Sequence, residues 1–119
     1  MKIEITEVNG HKLAEIISEE IIIKETQDAL DIMAELVYSD ASRIILKEKN
    51  LTPEFFDLKT GIAGEILQKF SNYNVRLSII GDFAKYKSRS LQDFIFESNK
   101  HGRINFVHSL EEAKEKMTR

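Results

Sequence analysis

The sequence predicts a single α/β domain, ordered β-β-α-β-α-β-α-β-α, with a mixed, mainly parallel sheet. Three observations carry this. Asn9-Gly10 separates two short runs, the strongest short hairpin signal, because both residues tolerate positive φ. Beyond it, apolar β-branched runs alternate with segments of helical spacing, the pattern of right-handed strand–helix–strand crossovers. The length of 119 residues fits one domain with one core.

The elements follow in order. Residues 1–8 alternate, with Ile3 and Ile5 against Lys2, Glu4 and Thr6, as a half-buried strand does. Residues 12–17 return antiparallel to it. Ile21-Ile22-Ile23 reads equally as a strand fragment or as an extended approach to the next helix. Thr26 is placed to cap a helix running to Tyr38, with Ala29, Leu30, Met33, Leu36 and Val37 at helical spacing. Residues 43–46 form a β-branched run, expected in the middle of the sheet. Thr52-Pro53-Glu54-Phe55 reads as a capped single turn with Pro at its first helical position.

The central helix then carries Ile62, Ile66, Leu67 and Phe70 on one stripe and runs to Tyr73. Residues 75–80 are a second buried strand, ended by Gly81-Asp82-Phe83. Ser90-Leu91-Gln92-Asp93 resembles a capping box that opens a helix to Asn99, closed by Gly102. Three consecutive apolar residues, Phe94-Ile95-Phe96, cannot share one narrow stripe, so Phe96 is expected to leave the core. Residues 104–107 are a short strand. Ser109-Leu110-Glu111-Glu112 caps the last helix, which carries Leu110, Ala113 and Met117.

Composition narrows the function. Lys and Arg total 17 against 20 Asp and Glu, a formal charge of −3, so there is no basic bias and no nucleic-acid partner is expected. There is no cysteine, which excludes disulfides, thiolate metal sites and a cysteine nucleophile and fits a reducing compartment. No apolar run approaches the roughly 20 residues of a membrane span. Met1-Lys2-Ile3-Glu4 carries acid, unlike a signal peptide. The expected location is cytoplasmic, with no membrane partner. His11, His101 and His108 are scattered, and neither a Gly-x-Ser-x-Gly elbow nor a P-loop spacing occurs. No catalytic residue, metal site or cofactor is assigned.

Several strings carry resemblances. Phe55-Phe56-Asp57-Leu58-Lys59-Thr60-Gly61, Gly64-Glu65-Ile66-Leu67-Gln68-Lys69-Phe70, Gly81-Asp82-Phe83 and Glu97-Ser98-Asn99 together resemble the domain-of-unknown-function 4180 family of bacteria. That family implies no activity. The element order is also similar to that of the STAS domain, the fold of bacterial anti-sigma factor antagonists and sulfate-transporter tails. Antagonist-type STAS proteins carry Asp-Ser-Ser-Gly between a buried strand and a helix, and its second Ser is phosphorylated. Thr60-Gly61 stands at that Ser-Gly pair, with Leu58 at the motif Asp and Lys59 at the first Ser.

Lys59, Thr60 and Gly61 are therefore the candidate phosphoacceptor or anion site, at a helix start that favours negative charge. The plainer role of Thr60 is to cap that helix. Gly61 and Gly64 each cost a helix about 1 kcal/mol against Ala. Close packing of a neighbouring backbone is the expected compensation, and approach of a ligand phosphate is the alternative. Asp57, Asp82, Lys85, Tyr86, Ser88 and Ser90 form the candidate ligand or partner surface, because carboxyl ends of parallel strands share one edge. Each of them has a plainer role in a turn or cap. Two functions follow: a non-enzymatic STAS-like regulatory module that binds another protein, or a ligand-binding protein or enzyme on that edge. A homo-oligomer is compatible with the first.

Overall fold

Asn9 and Gly10 take φ of 52° and 81°, so the first turn closes as the sequence predicts. β1 (Lys2–Val8) pairs antiparallel with β2 (His11–Ile17). The computed structural model describes residues 1–118. It continues with α1 (Thr26–Leu36), β3 (Arg43–Lys47), α2 (Ile62–Asn72), β4 (Arg76–Ile80), α3 (Arg89–His101), β5 (Ile104–Val107) and α4 (Leu110–Met117). Strand order in the sheet is β1-β2-β3-β4-β5, and every pair after the hairpin is parallel. The result is one α/β domain with a mixed five-stranded sheet and four main helices.

Because each parallel strand lies beside its predecessor, the crossover helices share one face. α1, α2 and α3 bury Ile32, Ile66, Phe70, Leu91 and Ile95 against Ile16, Ile44, Leu46, Leu77, Ile79 and Phe106. The other face is covered by α4, where Ala113 and Met117 pack on Leu13, Ile45 and Val107. Ile66 and Phe70 are fully buried, as the stripe requires. β3 and β4 are buried through their central residues. β5 is buried along all its residues although it is an edge strand. Two helices cover its faces, and Asn99 closes its edge. The Asn99 amide donates to Phe106 O at 3.2 Å and accepts from Phe106 N at 2.7 Å. A side chain thus replaces a neighbouring strand at an otherwise open edge.

Several local expectations are corrected. Glu25, not Thr26, is the N-cap of α1, and Asp28 accepts from Lys24 N and Glu25 N at 2.9 and 3.2 Å. α1 stops at Leu36 and tightens into a 3₁₀ turn, Val37–Ser39, ended by Asp40 at φ 56°. The cap of α3 is Ser88, whose hydroxyl accepts from Leu91 N at 3.2 Å. Ser90 lies inside that helix because Arg89 already has helical geometry. Ile23 makes one parallel bridge to Leu51, so the 21–23 run is an extended approach with a single strand-like contact. Phe96 is 66% exposed, as the crowded apolar triplet demands.

The glycines also depart from expectation. A Cβ on Gly61 or Gly64 would meet nothing within 4 Å, so the expected close packing of a neighbouring backbone is absent at both. Gly61 is required by its φ of 78°, which joins the preceding turn to α2. The close approach is at Gly81 instead, where a Cβ would lie 2.8 Å from Glu48 Cβ and 2.7 Å from Glu48 Oε1. Gly64 lies on the exposed side of α2 with open space. Gly64→Ala should therefore raise stability by about 0.5–1 kcal/mol. A lower urea midpoint for the variant would contradict that reading.

Candidate functional site

The loops after β3 and β4 meet at the carboxyl edge of the sheet. Leaving β3, the chain turns through Glu48–Asn50. Glu48 is drawn inward against Gly81, with only 15% of its side chain exposed. Lys85 Nζ lies 2.8 Å from Glu48 Oε2, and the Tyr86 hydroxyl donates to the same oxygen. The Tyr86 ring stacks on Phe56 at 5.0 Å and 13°, while Lys85 Nζ sits 5.4 Å from its centroid. Burial, then the hydrogen bond to Glu48 and then its charge hold the Tyr86 phenol above its ordinary range. The phenol therefore stays protonated at neutral pH and acts as a donor. Glu48, Lys85 and Tyr86 form a clamp that fixes the 82–90 loop to the end of β3. Gln92 reinforces it by donating to Phe83 O and Tyr86 O at 2.8 and 2.9 Å.

Sequence reasoning named Lys85 and Tyr86 but not Glu48, the residue that joins them. The only signal for it was a carboxylate directly following a buried strand, paired with a glycine directly following the next. The remaining candidates are occupied locally. Asp57 accepts from Lys59 N at 3.3 Å, and Asp82 from Ala84 N at 3.3 Å. Thr60 ends a 3₁₀ turn, Leu58–Thr60, while Gly61 is the N-cap of α2. The exposed Thr60 hydroxyl accepts from Ile62 N at 3.2 Å and has Glu54 O and Asp57 O, each at 2.9 Å, as alternative acceptors for its proton. Thr60 thus bonds the first N–H of α2 from the position before the cap, and the cap expected at Thr60 falls at Gly61. The Phe56–Tyr86 stack sets this turn beside the 82–90 loop. Among the described residues, no group of three or more His, Cys, Asp or Glu side chains is placed to hold a metal ion.

Concave surface lies at the opposite, amino edge of the parallel strands. A cleft of about 590 Å³ opens between the end of α1 and the segments leading into β3 and β4. Met33, Leu36, Ala41 and Val75 give it an apolar floor. Tyr38 and Tyr73 stand on its wall 95% and 63% exposed, with Val37 at 68%. Ser42 is shared with a second, polar cavity of about 380 Å³ lined by Arg43, Asn74, Arg76, His101 and Arg103. The sequence signal was available: the apolar runs of β3, β4 and β5 each follow an arginine, at Arg43, Arg76 and Arg103.

The fold and its two edges define a small α/β domain with a clamped carboxyl edge and an open amino edge. A family model described as a domain of unknown function (DUF4180) matches residues 8–117, and the chain belongs to that family. No curated protein and no solved structure matches it. Among the described residues, no helix is long and apolar enough to cross a membrane.

Proposed function

We propose that this domain is a non-enzymatic, STAS-like interaction module that docks a segment of a partner protein at the amino edge of its sheet. The observation that carries the reading is the grouping of Val37, Tyr38 and Tyr73, all exposed, around one apolar-floored cleft. Large aromatic side chains left in water around a concavity are the usual anchors of a protein interface. Asp31 and Asp40 line the cleft itself, whereas Arg43, Arg76 and Arg103 line the adjoining cavity, so the partner suited to this edge carries an aromatic or aliphatic anchor with acidic groups only on the arginine side. The hairpin followed by parallel strands supports the STAS-like likeness, and the clamped carboxyl edge supports a binding role over a catalytic one.

Panning a random peptide library against the folded chain tests this. The expected peptides combine an apolar anchor with acidic residues and bind at least about tenfold more weakly to the Tyr38→Ala/Tyr73→Ala variant, a loss of about 1.4 kcal/mol. Peptides that bind parent and variant equally would overturn it. A second reading keeps the carboxyl edge, with Lys59, Thr60 and Gly61 as a phosphoacceptor turn and Asp57, Asp82, Lys85, Tyr86, Ser88 and Ser90 around it. It is favoured by the exposure of the Thr60 hydroxyl ahead of α2, where a phosphate would meet the positive end of the helix dipole.

A further inference from the structure

From the three arginines in register at the amino edge, we infer a site for a phosphate-class oxyanion, formed by Arg43, Arg76 and Arg103. Arg43 is the register partner of Arg76. Arg103 directly precedes Ile104, which pairs with Leu77, so it continues the same row on the next strand. Neighbouring strands are about 4.8 Å apart. Side chains alternate, and these three share the face of Ile45, Ser78 and Asn105, so they project on the α4 side. Like charges opposite one another on neighbouring strands repel. Burial, and then Arg43 and Arg103, lower the Arg76 guanidinium below its ordinary range. Among the described residues, none of the three forms an ion pair with a carboxylate.

Part of this row has a structural task. Arg43 Nε donates to Met117 O at 2.7 Å, and Arg76 donates to Lys116 O at 3.3 Å and Gly102 O at 3.0 Å. The Met117 and Lys116 carbonyls end α4 and carry the negative end of its dipole, while Gly102 is the C-cap of α3. They engage one nitrogen of Arg43 and one of Arg76, although each guanidinium carries five N–H donors. Arg103 takes no part in this capping. It donates to Asn74 Oδ1 at 2.8 Å on the rim of the same cavity. The spare donors of three planar forks are more than a carboxylate can accept with two oxygens and one charge. A phosphate monoester offers three terminal oxygens and close to two charges, and it matches guanidinium forks bidentately. The phosphate can arrive as a free ion or on a side chain of the docked segment. The latter source rests on the docking reading above.

Inorganic phosphate is the first probe, followed by calorimetry and by the arginine Nε–H resonances. Saturable one-to-one binding is expected, with shifts at all three arginines and no comparable binding of acetate. Arg103→Ala, which leaves the α4 cap intact, should weaken it about tenfold or more, and Arg103→Lys should recover part of the loss. A phosphotyrosyl peptide and its unphosphorylated twin separate the sources. Tighter binding of the phosphopeptide than of phosphate assigns the site to a partner segment, and equal binding assigns it to the free ion. Failure of both phosphate and phosphopeptide to saturate, or undiminished binding by folded Arg103→Ala, overturns the proposal. Docking of unphosphorylated peptides through Tyr38 and Tyr73 would survive that failure.

Discussion

Phe70→Ala should lower stability by about 3–5 kcal/mol, a large share of the roughly 5–15 kcal/mol of a domain this size. Phe70 is fully buried on the inner face of α2, within the larger of the two cores. Removing the ring forfeits its transfer free energy and leaves a space that surrounding side chains only partly fill. Its carbonyl also receives Val75 N at 2.9 Å, so relaxation around the space is resisted by the turn into β4. Ile66, one helical turn earlier and equally buried, should cost about 2–5 kcal/mol when truncated. Urea midpoints equal to the parent's would show that the inner face of α2 has been misassigned.

Asn50→Ala should cost about 3 kcal/mol although it removes little apolar surface. Asn50 is fully buried. Its Nδ2 donates to Ser18 O and Glu20 O, each at 2.9 Å, and its Oδ1 accepts from Lys47 N at 2.9 Å. Its backbone carbonyl also receives Ile22 N and Ile23 N at 2.8 and 3.0 Å. One amide thereby ties the segment after β2 to the segment after β3. Without the side chain, two carbonyls and one N–H lose their partners at a part-buried site. Asn50→Leu, close in volume, should lose as much as Asn50→Ala, and that equality separates hydrogen bonding from packing. Near-parent stability of the leucine variant would contradict the account.

Regular elements were readable because they rest on local chemistry. The Asn9-Gly10 turn, the Ile62–Phe70 stripe and the Ser109 cap are each decided by residues a few positions apart, so one sequence suffices. The outward turn of Phe96 followed from helical geometry alone. What escaped was set by distant partners. Glu48 and Asn50 look like ordinary polar residues after a strand, and their roles appear only once Tyr86 and the 18–20 segment fold onto them. The purpose of the glycines was misjudged for the same reason. Crowding at Gly81 comes from Glu48, more than thirty positions away, whereas Gly61 is needed for its backbone angle. The arginine row was present in the sequence as three similar strand openings, yet its meaning depends on the parallel register that aligns them.

The site candidates divide along the same line. Asp57, Asp82 and Ser88 were candidates for a ligand or partner surface and Thr60 for an anion site, and each makes the plainer bond of a turn or helix start. Exposed Tyr38 and Tyr73 were read from the sequence as the last residues of two helices. They close apolar spacing patterns in the sequence, but the turn of Val37–Ser39 and the end of α2 carry them outward. Their position beside the arginines is the ground on which we propose the amino edge as the binding face, against the usual preference for the carboxyl edge in parallel sheets.

Amide shift mapping of the isotopically labelled chain with a panned peptide tests that claim most directly. Residues 37–43, 73–76 and 101–103 should shift together and saturate with one affinity, while 57–61 and 82–90 stay in place. Saturating shifts confined to 57–61 and 82–90 would contradict it and return the function to the turn that carries Thr60.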